Sequence, residues 1–192
     1  MKKNQVISLL AAVLLLVTGR AGAQQTPSLP ALQQQFVDLR FGMFIHFNIP
    51  TFMDDDWADP EASPAIFNPK KLDCNQWAAA AKSANMSYGC LTTKHHSGFA
   101  IWDTKTTPYN VMNSPLKRDV VKEYTTAFRA KGLKVMLYYS ILDTHHKIRP
   151  GQITKEHIKM IKAQLTELLT NYGEISQIFF DGAEPGQRQL LS

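Results

Sequence analysis

Four short apolar runs, each ending abruptly in polar residues, constrain this chain more than any other feature. They occupy residues 41–47 within "RFGMFIHFNIP", 87–93 "SYGCLTT", 133–140 "LKVMLYYS" and 175–181 "ISQIFFD". Each is the length of a buried strand and contains β-branched or aromatic residues. Helix-like stretches separate them. Asp73, with Gln76 three residues later, makes a capping-box start for the Ala-rich segment that follows. Asp119 can cap a helix with Val120, Val121, Tyr124 and Phe128 at helical spacing, and Gly132 ends it. Thr154 opens a third helix, with Ile158, Ile161, Leu165, Leu168 and Leu169 on one stripe and Gly173 as its stop.

The order β-α-β-α-β-α-β dictates a parallel sheet covered by helices, an α/β fold. Doubly wound sheets and TIM barrels share that order. Two features favour the barrel. Polar residues gather at the C-terminal end of every strand: His46 and Asn48, Lys94 to His96, Ser140 to Asp143, and Asp181. No glycine-rich phosphate loop follows any strand, and barrel sites are assembled from strand ends. A complete barrel has eight strands in about 250 residues, however, and four are legible here. The expectation is the N-terminal half of a TIM-type (β/α)8 barrel, truncated after the fourth strand and belonging to a longer protein.

The first 23 residues read as a cleavable leader. Lys2 and Lys3 precede a mostly apolar run, and Ala21-Gly22-Ala23 supplies small residues at a cleavage site. The run is short of the roughly 20 residues that span a bilayer. An exported protein, periplasmic or secreted, comprising residues 24–192 and with no membrane attachment after cleavage, is expected. Loss of Lys2, Lys3 and Arg20 lowers the formal charge from +5 to +2, so the basic character belongs largely to the leader. No basic cluster with interleaved aromatics remains, which argues against a nucleic-acid partner. Cys74 begins a helix and Cys90 lies in a buried-looking strand, so two free thiols are expected.

Chemistry concentrates in "LTTKHHSGFAIWDT", residues 91–104, and in Asp181. Neighbours on a strand point to opposite faces, so His95 and His96 share one site only if the strand has ended before them. Asp181 is the first charged group after "IFF", where a carboxylate at a strand's mouth can act as a nucleophile. A turn or helix-capping aspartate before Gly182 is the plainer alternative. His46, His95, His96 and Asp181 also suggest a zinc hydrolase. Adjacent histidines are nevertheless poor geometry for one ion, because two ligands on one strand face need H-x-H spacing.

Residues 30–183 resemble the alpha-L-fucosidases of glycoside hydrolase family 29. "TTKHHSGFAIWDT", followed in order by "YNV", "KRD", "YYS" and "FFDG", carries the resemblance. It implies a retaining exo-glycosidase that removes terminal alpha-L-fucose from oligosaccharides or glycoconjugates and needs no metal or other cofactor. It implies Asp181 as nucleophile, with an acid/base carboxyl about 5–5.5 Å away supplied from later in the chain. It further implies His46, His95 and His96 as sugar contacts and Tyr139, ahead of Tyr138, as the pocket tyrosine. For Trp57 and Trp102 a wall of the pocket and ordinary core or loop packing stand as equal alternatives, and Lys94 is expected either to support the pocket or to pair with a carboxylate. Two departures stand out: the first strand runs into "HFN" where the family often has H-W-G, and Asp56 precedes Trp57 where many members have glutamate. Without a second carboxyl, the remaining reading is a non-catalytic sugar-binding fragment.

Overall fold

The computed structural model describes residues 27–55 and 57–182, so the expected leader and Asp56 lie outside the described residues. The chain forms two compact units, Met1–Asp38 and Leu39–Ser192. The described part of the first contains helix α1 (Leu29–Asp38), where the Gln34 amide donates to Asp38 Oδ1 one turn later, at 2.8 Å.

The second unit runs β1 (Gly42–Ile45), α2 (Pro50–Met53), α3 (Cys74–Ser83), β2 (Tyr88–Lys94), α4 (Val120–Ala130), β3 (Lys134–Ser140), α5 (Lys155–Thr170) and β4 (Gln177–Asp181). Among the described residues, the four strands are all parallel, and their spatial order follows the sequence, β1-β2-β3-β4. β1 is shorter than its apolar run because its ladder ends at Ile45 opposite Leu91. The chain then turns: Asn48 Oδ1 accepts from the Ile49 amide at 2.8 Å, and Pro50 opens α2.

The helices start where the sequence places caps. Asp73 accepts from the amides of Asn75 and Gln76, at 2.9 and 3.2 Å. Asp119 accepts from the Lys122 amide at 2.8 Å. Thr154 and His157 form a reciprocal box, the Thr154 amide donating to His157 Nδ1 at 3.2 Å. Each cap satisfies helix amides that have no partner within the helix.

Right-handed crossovers between sequential parallel strands put the connecting helices on one face of the sheet. On that face Leu91, Val135, Leu137 and Tyr139 pack with Val120, Val121, Tyr124, Phe128, Ile161 and Leu168 in one buried cluster. Burying a side chain the size of Phe128 contributes roughly 1.5–3 kcal/mol. Helix α4 approaches β2 so closely that a Cβ on Gly89 would overlap the Phe128 ring. The opposite face carries a smaller cluster, Cys90, Met136 and Tyr138, flanked by the half-exposed Phe44 and Phe179. Both cysteines are free and buried. Burial pushes each thiol up to about 12, so neither is a ready nucleophile. Among the described residues, no helix is long and apolar enough to cross a membrane.

Candidate active site

An irregularity in β2 builds the site. Thr92 pairs with Tyr138, but it is Lys94 that pairs with the next residue, Tyr139. Thr93 is therefore an extra residue, and its hydroxyl donates to the Tyr138 carbonyl at 2.7 Å. Such a bulge resets the alternation of faces. It turns Lys94 into the helix-side core and delivers His95 and His96 to the strand mouth on the sheet's other face. The two histidines sit together, ring centroids 4.4 Å apart, because the strand's two-residue period stops before them.

Asp181 ends β4 opposite Ser140 of β3. Its Oδ2 accepts from the Tyr138 hydroxyl at 2.7 Å and its Oδ1 from the Gly182 amide at 2.6 Å. Burial opposes ionisation, but those two bonds and the fields of His96 and His95 outweigh it. The carboxyl is held below its usual range. Tyr138, in turn, is pushed up by burial and by Asp181, so it remains a phenol able to donate.

The structure corrects the choice of tyrosine. Tyr139 points into the helix-side core, its hydroxyl donating to Gln164 Oε1 at 2.6 Å, and it has no exposed surface. The register Ser140↔Asp181 puts Tyr138, two residues before Ser140, on the Asp181 face. Trp102 is also corrected: it is fully buried, and its indole N–H donates to Glu167 Oε2 at 2.9 Å. It packs the core and does not line the pocket.

The remaining rim is assembled by contacts between loops. His46 Nδ1 lies 3.2 Å from the Thr92 hydroxyl, and its ring stacks on Phe44 at 4.7 Å. The His46 ring also meets those of His95 and Tyr138 edge-on, at 5.6 and 5.4 Å. Trp57 stacks on His96 at 5.3 Å and 21°, although it is 65% exposed. His96 Nδ1 lies 2.7 Å from Ser140 Oγ, and its Nε2 is 3.8 Å from Asp181 Oδ2. An open cavity of about 840 Å³ is lined by His46, Asn48, Asp54, Asp55, Trp57, His95 and His96, among others. Among the described residues, no three His, Cys, Asp or Glu side chains form a group that could hold a metal ion.

Beneath the rim lies a polar network whose members the sequence shows without their connections. Lys94 Nζ and Asp143 Oδ2 form a fully buried ion pair at 3.0 Å, and the ammonium also sits 4.4 Å over the Tyr139 ring. His146 Nδ1 lies 2.9 Å from the same carboxylate oxygen, with its Nε2 2.9 Å from the Thr107 hydroxyl. Burial would raise the Asp143 pKa, yet Lys94 and His146 hold it well below the usual range. Gly98, at φ +83°, closes the loop after the histidines, and any Cβ there would collide with the Asp143 carboxylate. The ion pair therefore anchors the His95–His96 loop against the loop that follows β3. "KHH" and "LDTHH" were visible in sequence, but only the fold shows that the lysine of one meets the aspartate of the other.

Residues 56–189 match the sequence family described as alpha-L-fucosidase, well over half of the 192 residues. The chain belongs to the alpha-L-fucosidase family. Alpha-L-fucosidase 1 of Arabidopsis thaliana is 39% identical over 164 residues, covering 82% of this chain and 32% of that protein. A crystal structure of a glycoside hydrolase 29 family member from an unknown rumen bacterium is 40% identical, with a TM-score of 0.73. That match covers 83% of this chain and 28% of the rumen protein. A Bacteroides thetaiotaomicron alpha-L-fucosidase of the same family is 30% identical, with a TM-score of 0.70, over 85% of this fucosidase-family chain and 42% of that one. A second structure of a fucosidase from that organism is a trapped covalent intermediate, in complex with 2-fluoro-fucosyl fluoride and obtained with a glutamate-to-glutamine mutant. The chain spans about a third of the length of the curated plant relatives it matches, 34% and 32%.

Proposed function

We propose that this fucosidase-family chain supplies the nucleophile half of a retaining alpha-L-fucosidase, an enzyme that releases terminal alpha-L-fucose from glycoconjugates by double displacement. The observation that carries the proposal is Asp181: ionised at a strand mouth, held by Tyr138 and the Gly182 amide, and facing His96 across 3.8 Å. A carboxylate so fixed can attack the anomeric carbon and form a glycosyl-enzyme ester, which water then cleaves. His46, His95 and His96 offer imidazole nitrogens to the sugar hydroxyls, and Trp57 gives an apolar wall. Asp56, which lies outside the described residues, is proposed as a further sugar-binding residue, from its place beside Trp57 in the sequence.

The general acid, which protonates the leaving oxygen, is proposed to come from a segment following the four strands. The covalent intermediate trapped with a glutamate mutant of the Bacteroides relative supports both the double displacement and a glutamate in that role. The fold is proposed to be half of a (β/α)8 barrel. The sequential strand order supports this, since doubly wound sheets reverse direction at a switch point and this one does not. The basic and apolar start with its Ala-Gly-Ala stretch supports export with removal of residues 1–23.

The test is hydrolysis of an aryl alpha-L-fucoside by this chain and by a form extended with the remaining barrel strands of a relative. The extended form is expected to release fucose with retained anomeric configuration, and this chain to bind fucose without turnover. An inverted product would overturn the double displacement. Asp181→Ala in the extended form should cut kcat on the order of 10⁴-fold, and preserved turnover would refute Asp181 as nucleophile. Turnover lost to a chelator and restored by a divalent metal would favour metal-assisted hydrolysis instead.

A further inference from the structure

The hydrogen bonds behind His96 fix where its ring proton sits. Ser140 is fully buried, and its Oγ lies 2.6 Å from the Leu142 carbonyl. A carbonyl only accepts, so at this separation the single hydroxyl proton of Ser140 goes to Leu142 and not to the Tyr138 hydroxyl, the other oxygen that interacts with Ser140. The same oxygen lies 2.7 Å from His96 Nδ1. With its proton committed, Ser140 can only accept there, so Nδ1 carries the hydrogen. In a neutral imidazole that leaves Nε2 bare. Burial pulls the His96 pKa down against the opposing field of Asp181, and His46 pulls in the same direction as burial, so the neutral ring is favoured.

The bare Nε2 faces Asp181 Oδ2 at 3.8 Å, and that oxygen already takes the Tyr138 proton. Two acceptors at this separation do not bond each other. What fits between them is a donor, and a polyol hydroxyl is one. Trp57, stacked on the ring, keeps the imidazole plane in place while leaving that edge open.

We propose that Ser140 is a positioning residue that holds His96 as the Nδ1–H tautomer, so that Nε2 accepts from a sugar hydroxyl beside Asp181. The identity of the sugar rests on the fucosidase reading; the tautomer is a property of this chain alone.

A long-range proton–nitrogen NMR spectrum of the histidine rings of this chain near neutral pH tests the assignment directly, with a His96→Gln sample identifying the His96 signals. The expected result is a protonated Nδ1 and a bare Nε2. The reverse pattern, or an even mixture, would overturn the proposal, and this measurement needs no variant at Ser140. Ser140→Ala should turn the single tautomer into a mixture, and Ser140→Thr should restore it. A single Nδ1–H tautomer persisting in Ser140→Ala would refute the serine's role. With L-fucose bound, as followed by Trp57 fluorescence, the Nε2 signal should move towards the hydrogen-bonded range, and an unmoved signal would refute the acceptor role. Absence of any fucose binding would count against the fucosidase reading, and the tautomer result would still decide the part played by Ser140.

Discussion

Adjacent tyrosines on β3 have opposite roles, and the difference is testable one atom at a time. Removing the Tyr138 hydroxyl takes a donor from a charged carboxylate, an interaction of about 1.5–3 kcal/mol. Tyr138→Phe in the extended form should therefore slow turnover roughly 10–100-fold. It should also raise the pKa of Asp181, moving the acid limb of the pH–rate profile upward, because the lost bond favoured the ionised form. Tyr139→Phe should leave that limb unmoved and lower stability by about 1–3 kcal/mol, since Gln164 Oε1 loses its donor in the core. Chemical denaturation and a pH–rate profile on both variants distinguish the two. Gly98 carries the clearest backbone requirement: Gly98→Ala meets both an unfavourable positive φ and the Asp143 carboxylate. A loss of more than about 1 kcal/mol is expected in urea unfolding.

Among the elements, the bulge in β2 and the loop after β3 form one device. The bulge sends Lys94 inward, and the buried Lys94–Asp143 pair ties the histidine loop to the β3 loop. Lys94→Met removes the ion-pair partner of the buried Asp143 carboxylate and should cost about 3–5 kcal/mol. The double change Lys94→Met with Asp143→Leu should recover much of that loss, which a urea-denaturation cycle would read as coupling. The pH dependence has a definite sign. The folded-state pKa of Asp143 lies below its unfolded value, so its contribution is full above about pH 4, the unfolded carboxyl range. It is lost as pH falls through the lower, folded value. Unfolding midpoints measured downward from pH 5 should fall more steeply in the wild type than in the Asp143→Leu, Lys94→Met double variant.

At the scale of the whole molecule, the described residues pack the helix-side face of the sheet and leave the other partly exposed. Phe44 and Phe179 are 46% and 48% exposed, beside a small buried cluster. Among the described residues, β1 and β4 each pair on one side only. Unpaired parallel edges beside exposed aromatics favour self-association. Light scattering by this chain should rise with concentration, and Phe44→Lys or extension with further barrel strands should reduce it. Scattering unchanged by either would show that this face does not drive association.

The strand and helix order, the caps at Asp73, Asp119 and Thr154, and the crowding of polar residues at strand ends are all legible in the sequence, because they depend on periods and spacings of a few residues. The family is legible for a related reason: the order "TTKHHSGF", "YYS" and "FFDG" survives as a linear pattern. Which tyrosine reaches Asp181 is not legible, since alternation fixes only that Tyr138 and Tyr139 face opposite ways. The choice between them needs the register of β3 against β4. Nor does the sequence show the extra residue at Thr93, the pairing of Lys94 with Asp143, or the serine behind His96. Each joins residues more than forty positions apart. Tertiary structure alone decides such contacts, because they are set by how the sheet's strands slide past one another and not by any local preference of the chain.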